Sequence, residues 1–156
     1  MNNLLPLDPQ GHPILTTDWA ASVDKTIVFD NATNANGDFN GTGNPTTLFT
    51  VTGTVLLRIL AKCTESLTSS SGTLEVGTAL STAGMIAQTT ASAIDINEIW
   101  HDATPDSSIE ATTVLAQKIV AQNVIQTVAT ADISDGTIVY TALWYPLSAG
   151  ASVVAA

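Results

Sequence analysis

Between Thr50 and Thr64 the chain reads TVTGTVLLRILAKCT. The odd positions, Val51, Gly53, Val55, Leu57, Ile59, Ala61 and Cys63, are all apolar or small. Successive side chains of a strand point to opposite faces of a sheet, so a period of two held over this length predicts a strand. It exceeds the usual strand of about five or six residues. It is read as the central strand of an all-β domain, spanning about residues 48–64. Its other face carries Thr52, Thr54, Leu56, Arg58, Leu60 and Lys62. Two leucines flanking an arginine do not suit a wet face, so a second layer or another subunit must cover them.

Charge narrows the classes of partner. The 156 residues suit one domain with a core. Charged residues make up 12% of the chain, about half the usual ~25%, which leaves much neutral surface to bury against other chains without desolvating ions. Fourteen acidic and four basic residues give a formal net charge of −10. The bases, Lys25, Arg58, Lys62 and Lys118, are scattered and are expected to form no patch. Such a chain repels nucleic acid and anionic membranes. A single cysteine allows no intrachain disulfide, and a reducing cytoplasm is expected. The opening MNNLLPLDPQGHP lacks the basic region and continuous apolar core of a secretory signal. No apolar run approaches the ~20 residues of a membrane helix.

Residues 1–24 read as an extended arm, and residues 25–156 as the β-domain. Pro6, Pro9 and Pro13 interrupt regular structure in the arm, while Leu4, Leu5, Leu7, Ile14, Leu15 and Trp19 ask for a surface to dock on, either this domain or a neighbouring subunit. KTIVFD (25–30) predicts a short strand. The Asn- and Gly-rich stretch 31–45 predicts an exposed loop. Asp30, Asn34, Asn36 and Asp38 are oxygen ligands suited to calcium, but an EF-hand register with Gly37 as its glycine would run from Ala32 to Gly43, neither of which supplies the carboxylate it needs. A solvated turn is the simpler reading.

TLEVGTAL (73–80) alternates and is expected to form a hairpin with the long strand. A turn at 81–84, a short strand at 85–89 and another at 93–98 follow. IWHDATPDSS (99–108) reads as a loop. Residues 109–121 suit a helix or a strand, and strand is taken because Val and Ile favour sheets. Strands at 124–130 and 137–147 flank a turn with Asp135-Gly136 at its tip, a hairpin cue. SAGASVVAA reads as a small apolar tail. This spacing predicts a single-domain antiparallel β-sandwich, or a jelly-roll-like barrel, with an extended N-terminal arm.

Little in the chain suggests chemistry. His12 lies between Gly11 and Pro13 in the arm, a poor setting for a held base. Glu98 and His101 have a spacing that serves di-iron helices, but the second motif and further glutamates of such sites are missing. A closed zinc site wants more His or Cys. Cys63 paired with His101 would make a thiol–imidazole couple, yet Cys63 shares the apolar face of the long strand and is expected to be a small buried hydrophobe. A glycosidase needs only two acids in a cleft, and nothing selects a pair. Expected catalytic residues, metal ligands and cofactors are therefore none. Trp100, Trp144 and Tyr145 are the residues a sugar platform would use, although adjacent strand residues face opposite ways.

VTGTVLLRI (51–59), LEVGTAL (74–80), MIAQTTA (85–91), DINEIWHDATPD (95–106), VATADISDGTI (128–138) and ALWYPLS (142–148), closing on SVVAA, resemble in succession the small capsid decoration, or cement, proteins of tailed bacteriophages. The resemblance covers about residues 25–156, not the arm. It implies a β-sandwich, oligomers (often trimers) on the virion head, the major capsid protein as partner, synthesis in the host bacterial cytoplasm, and no enzyme activity. The expected contact residues are Leu4, Leu5, Leu7, Ile14, Leu15 and Trp19 of the arm and Leu56, Arg58 and Leu60 of the long strand. A head-fibre or tail module that binds host glycan is the alternative, and a hydrolase built around Glu98, His101 and Asp102 the third.

Overall fold

A computed structural model describes residues 21–31, 36–107 and 117–156. Two antiparallel sheets pack face to face. The sandwich is thus the observed form of the all-β class expected. One sheet has six strands. β1 (Ala21–Phe29) pairs with β10 (Ile133–Pro146), and β10 with β3 (Val55–Ser69). The far edge of β3 is shared: β6 (Glu98–Trp100) pairs with it at Ala61–Lys62 and is followed by β7 (Asp106–Ser107), while β8 (Lys118–Val120) pairs at Val55–Leu57. The other sheet runs β11 (Ser152–Ala155), β2 (Thr46–Thr52), β9 (Val124–Ala129), β4 (Thr73–Thr78), β5 (Ser81–Thr90).

The single strand expected over Thr50–Thr64 is two strands in two sheets. Gly53 adopts φ +69, a left-handed conformation that glycine takes without strain. It turns the chain from β2 in one sheet into β3 in the other. Ser148 secures the crossing, its Oγ accepting from Thr54 N at 2.9 Å, while Leu147 N donates to Thr54 O at 2.9 Å. After Gly53 the alternation holds as expected. Val55, Leu57, Ile59, Ala61 and Cys63 are all buried, facing the core between the sheets.

Two expected hairpins do not form, because the strands concerned also belong to different sheets. β4 pairs with β5 and β9, not with β3. β9 and β10 follow one another in the chain but lie in opposite sheets. Asp135 and Gly136 therefore lie inside β10, at irregularities in its register with β3, and Gly136 takes φ +119. The turn between β9 and β10 falls earlier, at Thr130, whose φ is +74.

Several smaller boundaries also differ. β1 begins at Ala21 rather than Lys25. The turn expected at 81–84 belongs to β5. Of the strand expected at 93–98, Ala93 ends a 3-10 turn (Ala91–Ala93) and Glu98 alone lies in a strand, β6, while β6 and β7 occupy part of the expected loop 99–108. The tail supplies β11, which pairs with β2. Of the expected strand 109–121, residues 118–120 form β8 and residues 109–116 lie outside the described residues.

Two polar contacts tie the sheets together inside an otherwise apolar core. Tyr140 of β10 donates to Gln126 Oε1 of β9 at 2.7 Å. Trp100 of β6 donates through Nε1 to Thr89 Oγ1 of β5 at 2.9 Å. Trp100 and Tyr140 also meet edge to face, centroids 6.3 Å apart, a favoured aromatic geometry. The loop before β2 is bonded rather than loosely solvated. The Asn44 side chain exchanges two hydrogen bonds with the backbone of Val128, Nδ2 donating at 2.7 Å and Oδ1 accepting at 3.0 Å.

Candidate functional site

Strand register assembles the outward face of the six-stranded sheet. Leu56 lies between Tyr145 and Ile119, Arg58 beside Leu143, and Leu60 beside Thr141. Directly paired residues point to the same side of a sheet, so these side chains share the face turned away from the core. Leu56, Leu60, Leu143 and Tyr145 are half-buried, and Ile119 is exposed. Arg58 is only 8% exposed. The rim is polar, with Thr141 donating through Oγ1 to Asp24 at 2.7 Å and Lys62 exposed beyond Leu60.

The expected contact residues divide accordingly. Leu56, Arg58 and Leu60 come together in the middle of this face. Leu4, Leu5, Leu7, Ile14, Leu15 and Trp19 lie outside the described residues, as does His12. Sequence reasoning missed Leu143 and Ile119, and singled out Tyr145 only for a sugar platform. Their signal is long-range register, which periodicity within one strand does not carry.

The bases share one sheet but not one face. Lys25 is in β1, Arg58 and Lys62 are in β3, and Lys118 is in β8, so all four belong to the six-stranded sheet and none to the other. Lys25 points inward at the sheet edge and donates through Nζ to the carbonyl of Ala156.

The second cluster centres on His101, which is buried in the turn between β6 and β7. Its Nε2 lies 3.1 Å from Asp106 Oδ2 and its Nδ1 3.9 Å from Asp102 Oδ2. The three side chains can offer one ligand atom each, all within 4.8 Å of one another. The two carboxylates approach opposite ring nitrogens, whereas a metal ion takes one nitrogen and needs the carboxylates on that side. Asp102 is also engaged by the backbone, its Oδ1 accepting from Thr104 N at 2.7 Å. Glu98, the expected companion of His101, accepts from Asp95 N at 2.8 Å and caps its own turn. This arrangement closes a short loop by hydrogen bonds.

Cys63 does not form a couple with His101. Its thiol donates to the carbonyl of Glu65 at 3.1 Å, and the imidazole engages Asp106. Burial pushes the thiol pKa up, and the negative charges of Glu98, Asp95 and Glu65 push it further. A thiol held protonated is a weak nucleophile.

The aromatic platform is also dispersed. Trp100 is fully buried, Trp144 packs on the core, and Tyr145 faces outward. In the calcium candidate, Asp38 accepts from Asn40 N at 3.2 Å, Asn36 donates to Val28 O at 3.2 Å, and Asn34 lies outside the described residues. No protein-family model, curated protein or solved structure matches the chain.

Proposed function

We propose that this chain is a virion structural protein, a decoration protein that stabilises the capsid of a tailed bacteriophage through protein–protein contacts and without catalysis. The observation that carries this reading is the outward face of the six-stranded sheet, with Leu56, Leu60, Leu143 and Tyr145 around Arg58 and a polar rim. An apolar centre, an arginine and a polar border are the composition of protein interfaces. The resemblance of residues 25–156 to decoration proteins names the partner class, and the net charge of −10 disfavours nucleic acid instead.

On this reading the contact surface is that face together with the N-terminal segment, residues 1–24. The partners are the major capsid protein and further copies of this chain, as a homotrimer. A protein that binds only the assembled lattice stabilises it by mass action. The glycan-binding alternative keeps Tyr145 alone, since Trp100 and Trp144 serve the core. The test is co-sedimentation with heads of the virus that encodes the chain, beside the solution mass from light scattering. Binding to heads that is saturable and weakened by Leu56→Asp supports the reading. Absence of binding to heads overturns it.

A further inference from the structure

We propose that Asn40 is a site of spontaneous deamidation, closed through the backbone nitrogen of Gly41, and that the fold protects the other Asn-Gly pair, Asn36-Gly37, from the same reaction. This holds whether or not the chain binds capsids.

The chemistry needs a nucleophile, a carbonyl and freedom to bring them together. The Gly41 nitrogen attacks Asn40 Cγ, the Cγ–Nδ2 bond breaks, and ammonia leaves with the proton of the Gly41 amide. Water then opens the succinimide. Addition at Cγ gives aspartate. Addition at the backbone carbonyl of residue 40 gives isoaspartate, in which the chain runs through Cγ. Glycine after the asparagine keeps this approach open, because it has no Cβ to block the side chain or restrict the backbone.

Both Asn-Gly pairs lie in the loop before β2, so local sequence does not separate them. Their surroundings do. Asn40 is exposed. Among the described residues its side chain has no hydrogen-bonding partner. The Gly41 amide makes only a 3.4 Å contact with the carbonyl of Asp38, longer than the usual bond. Asn36, by contrast, donates through Nδ2 to the carbonyl of Val28 at 3.2 Å, and its own carbonyl accepts from Gln126 Nε2 at 3.2 Å. Gly37 is buried, and its carbonyl accepts from Ile133 N at 2.9 Å. A Cβ at Gly37 would collide with the carbonyl of Ile133 and lie 2.9 Å from Phe29 Cδ1. Ring closure at Asn36 must therefore break the bond to Val28 and turn a peptide held on both sides.

The product changes a turn that is anchored to the sandwich. Phe39 N donates to Asp132 Oδ1 at 2.7 Å, and Asn44 Nδ2 donates to the carbonyl of Phe39 at 2.9 Å. Asn40 follows this anchor directly. Isoaspartate there lengthens the backbone by a methylene. It also adds a negative charge beside the Asp38 carboxylate, which accepts from Asn40 N at 3.2 Å. Like charges repel, so the turn loosens as the protein ages.

The test ages the full chain, folded and in guanidinium chloride, at mildly alkaline pH. The tryptic peptide 26–58 contains both pairs and is read by tandem mass spectrometry with isoaspartyl methyltransferase labelling. In the folded protein residue 40 should convert at least roughly tenfold faster than residue 36, the scale of the hydrogen bond that Asn36 must break. In denaturant the two rates should converge. Asn40→Gln should abolish conversion at residue 40, because the longer side chain closes its ring far more slowly, and should leave residue 36 unchanged. Equal rates in the folded protein, faster conversion of residue 36, or conversion of residue 40 only in denaturant overturns the proposal. The acidic product, separated by anion exchange, should show faster hydrogen exchange at the Phe39 amide. Unchanged exchange there overturns the loosening of the turn.

Discussion

The phenol of Tyr140 in β10 donates a 2.7 Å hydrogen bond to Oε1 of Gln126 in β9, joining the two sheets through the middle of the core. Neither residue is exposed, and Gln126 passes the connection on by donating through Nε2 to the carbonyl of Asn36 at 3.2 Å. A buried acceptor left without its donor costs about 1–3 kcal/mol. Tyr140→Phe keeps the ring against Trp100 and removes only the donor. It should lower unfolding free energy by about 1–3 kcal/mol in urea, with the denaturant slope unchanged. A neutral result would show that Gln126 finds another donor.

The same residue sets an alkaline limit. Burial holds the Tyr140 pKa well above the ordinary tyrosine value, and the nearby Cys63 contributes in the same direction. The folded protein therefore keeps this proton at pH values where the unfolded chain has released it. Stability falls as pH rises wherever the unfolded state binds fewer protons. The contribution is whole below about pH 10, the unfolded value, and is lost progressively above it. Urea midpoints measured from pH 8 to 11 should decline more steeply in the parent than in Tyr140→Phe. Parallel declines would remove Tyr140 as the cause.

Gly53 is the point at which the chain changes sheets. A Cβ there would lie 2.6 Å from Ser148 Oγ and 3.2 Å from Ala151, on a backbone at φ +69. Left-handed backbone alone costs a non-glycine residue roughly 1–2 kcal/mol. Gly53→Ala should therefore destabilise by about 2 kcal/mol or more. Pairing Gly53→Ala with Ser148→Ala should recover part of the loss if the steric clash contributes. The midpoint of thermal unfolding checks both variants.

The residues that were legible obey a local rule. Val55 through Cys63 alternate, and the inward set is the observed core. Gln126 also sits on the inward side of its alternation with Val124 and Val128, although its partners when buried, Tyr140 and the carbonyl of Asn36, lie elsewhere in the chain. Gly53 was illegible because a small residue fits the apolar phase of a strand, and its positive φ leaves no mark in that pattern. The hairpin cue at Asp135-Gly136 misled because it assumes that consecutive strands pair, whereas here β2 and β3, β3 and β4, and β9 and β10 cross between sheets. Trp100 read as part of a loop since IWHD has no period, yet its indole bonds to Thr89 in the other sheet. Of the candidate face, the leucines beside Arg58 were visible. Their neighbours on β10 and β8 required the register.

Asn44 stands in for a strand residue. Its side-chain amide makes with Val128 the paired donor and acceptor contacts that a neighbouring backbone would make. It also donates to the carbonyl of Phe39 at 2.9 Å, within its own loop. Asn44→Ala leaves the part-buried Val128 amide and carbonyl without these partners, and a loss of about 2 kcal/mol is expected. Hydrogen exchange should quicken at the Val128 amide and leave Ile59 and Ala61 of β3 unchanged. Uniform quickening would mean global destabilisation instead.

His101 separates a structural clip from a metal centre. Its bond to Asp106 joins the turn after β6 to the start of β7, and the two carboxylates face different ring nitrogens. Calorimetric titration with zinc or manganese should therefore show no saturable binding that His101→Ala abolishes. The same substitution removes a buried ring and its hydrogen bond. Its expected cost is about 1–3 kcal/mol of unfolding free energy, with faster amide exchange at Ile99 and Trp100. The pairing of Ala61 with Trp100 puts the next residue, His101, beside Leu60 at the border of the outward face, so metal uptake rather than binding to heads separates the two roles. Stoichiometric metal uptake by the parent that His101→Ala abolishes would make this turn a metal centre.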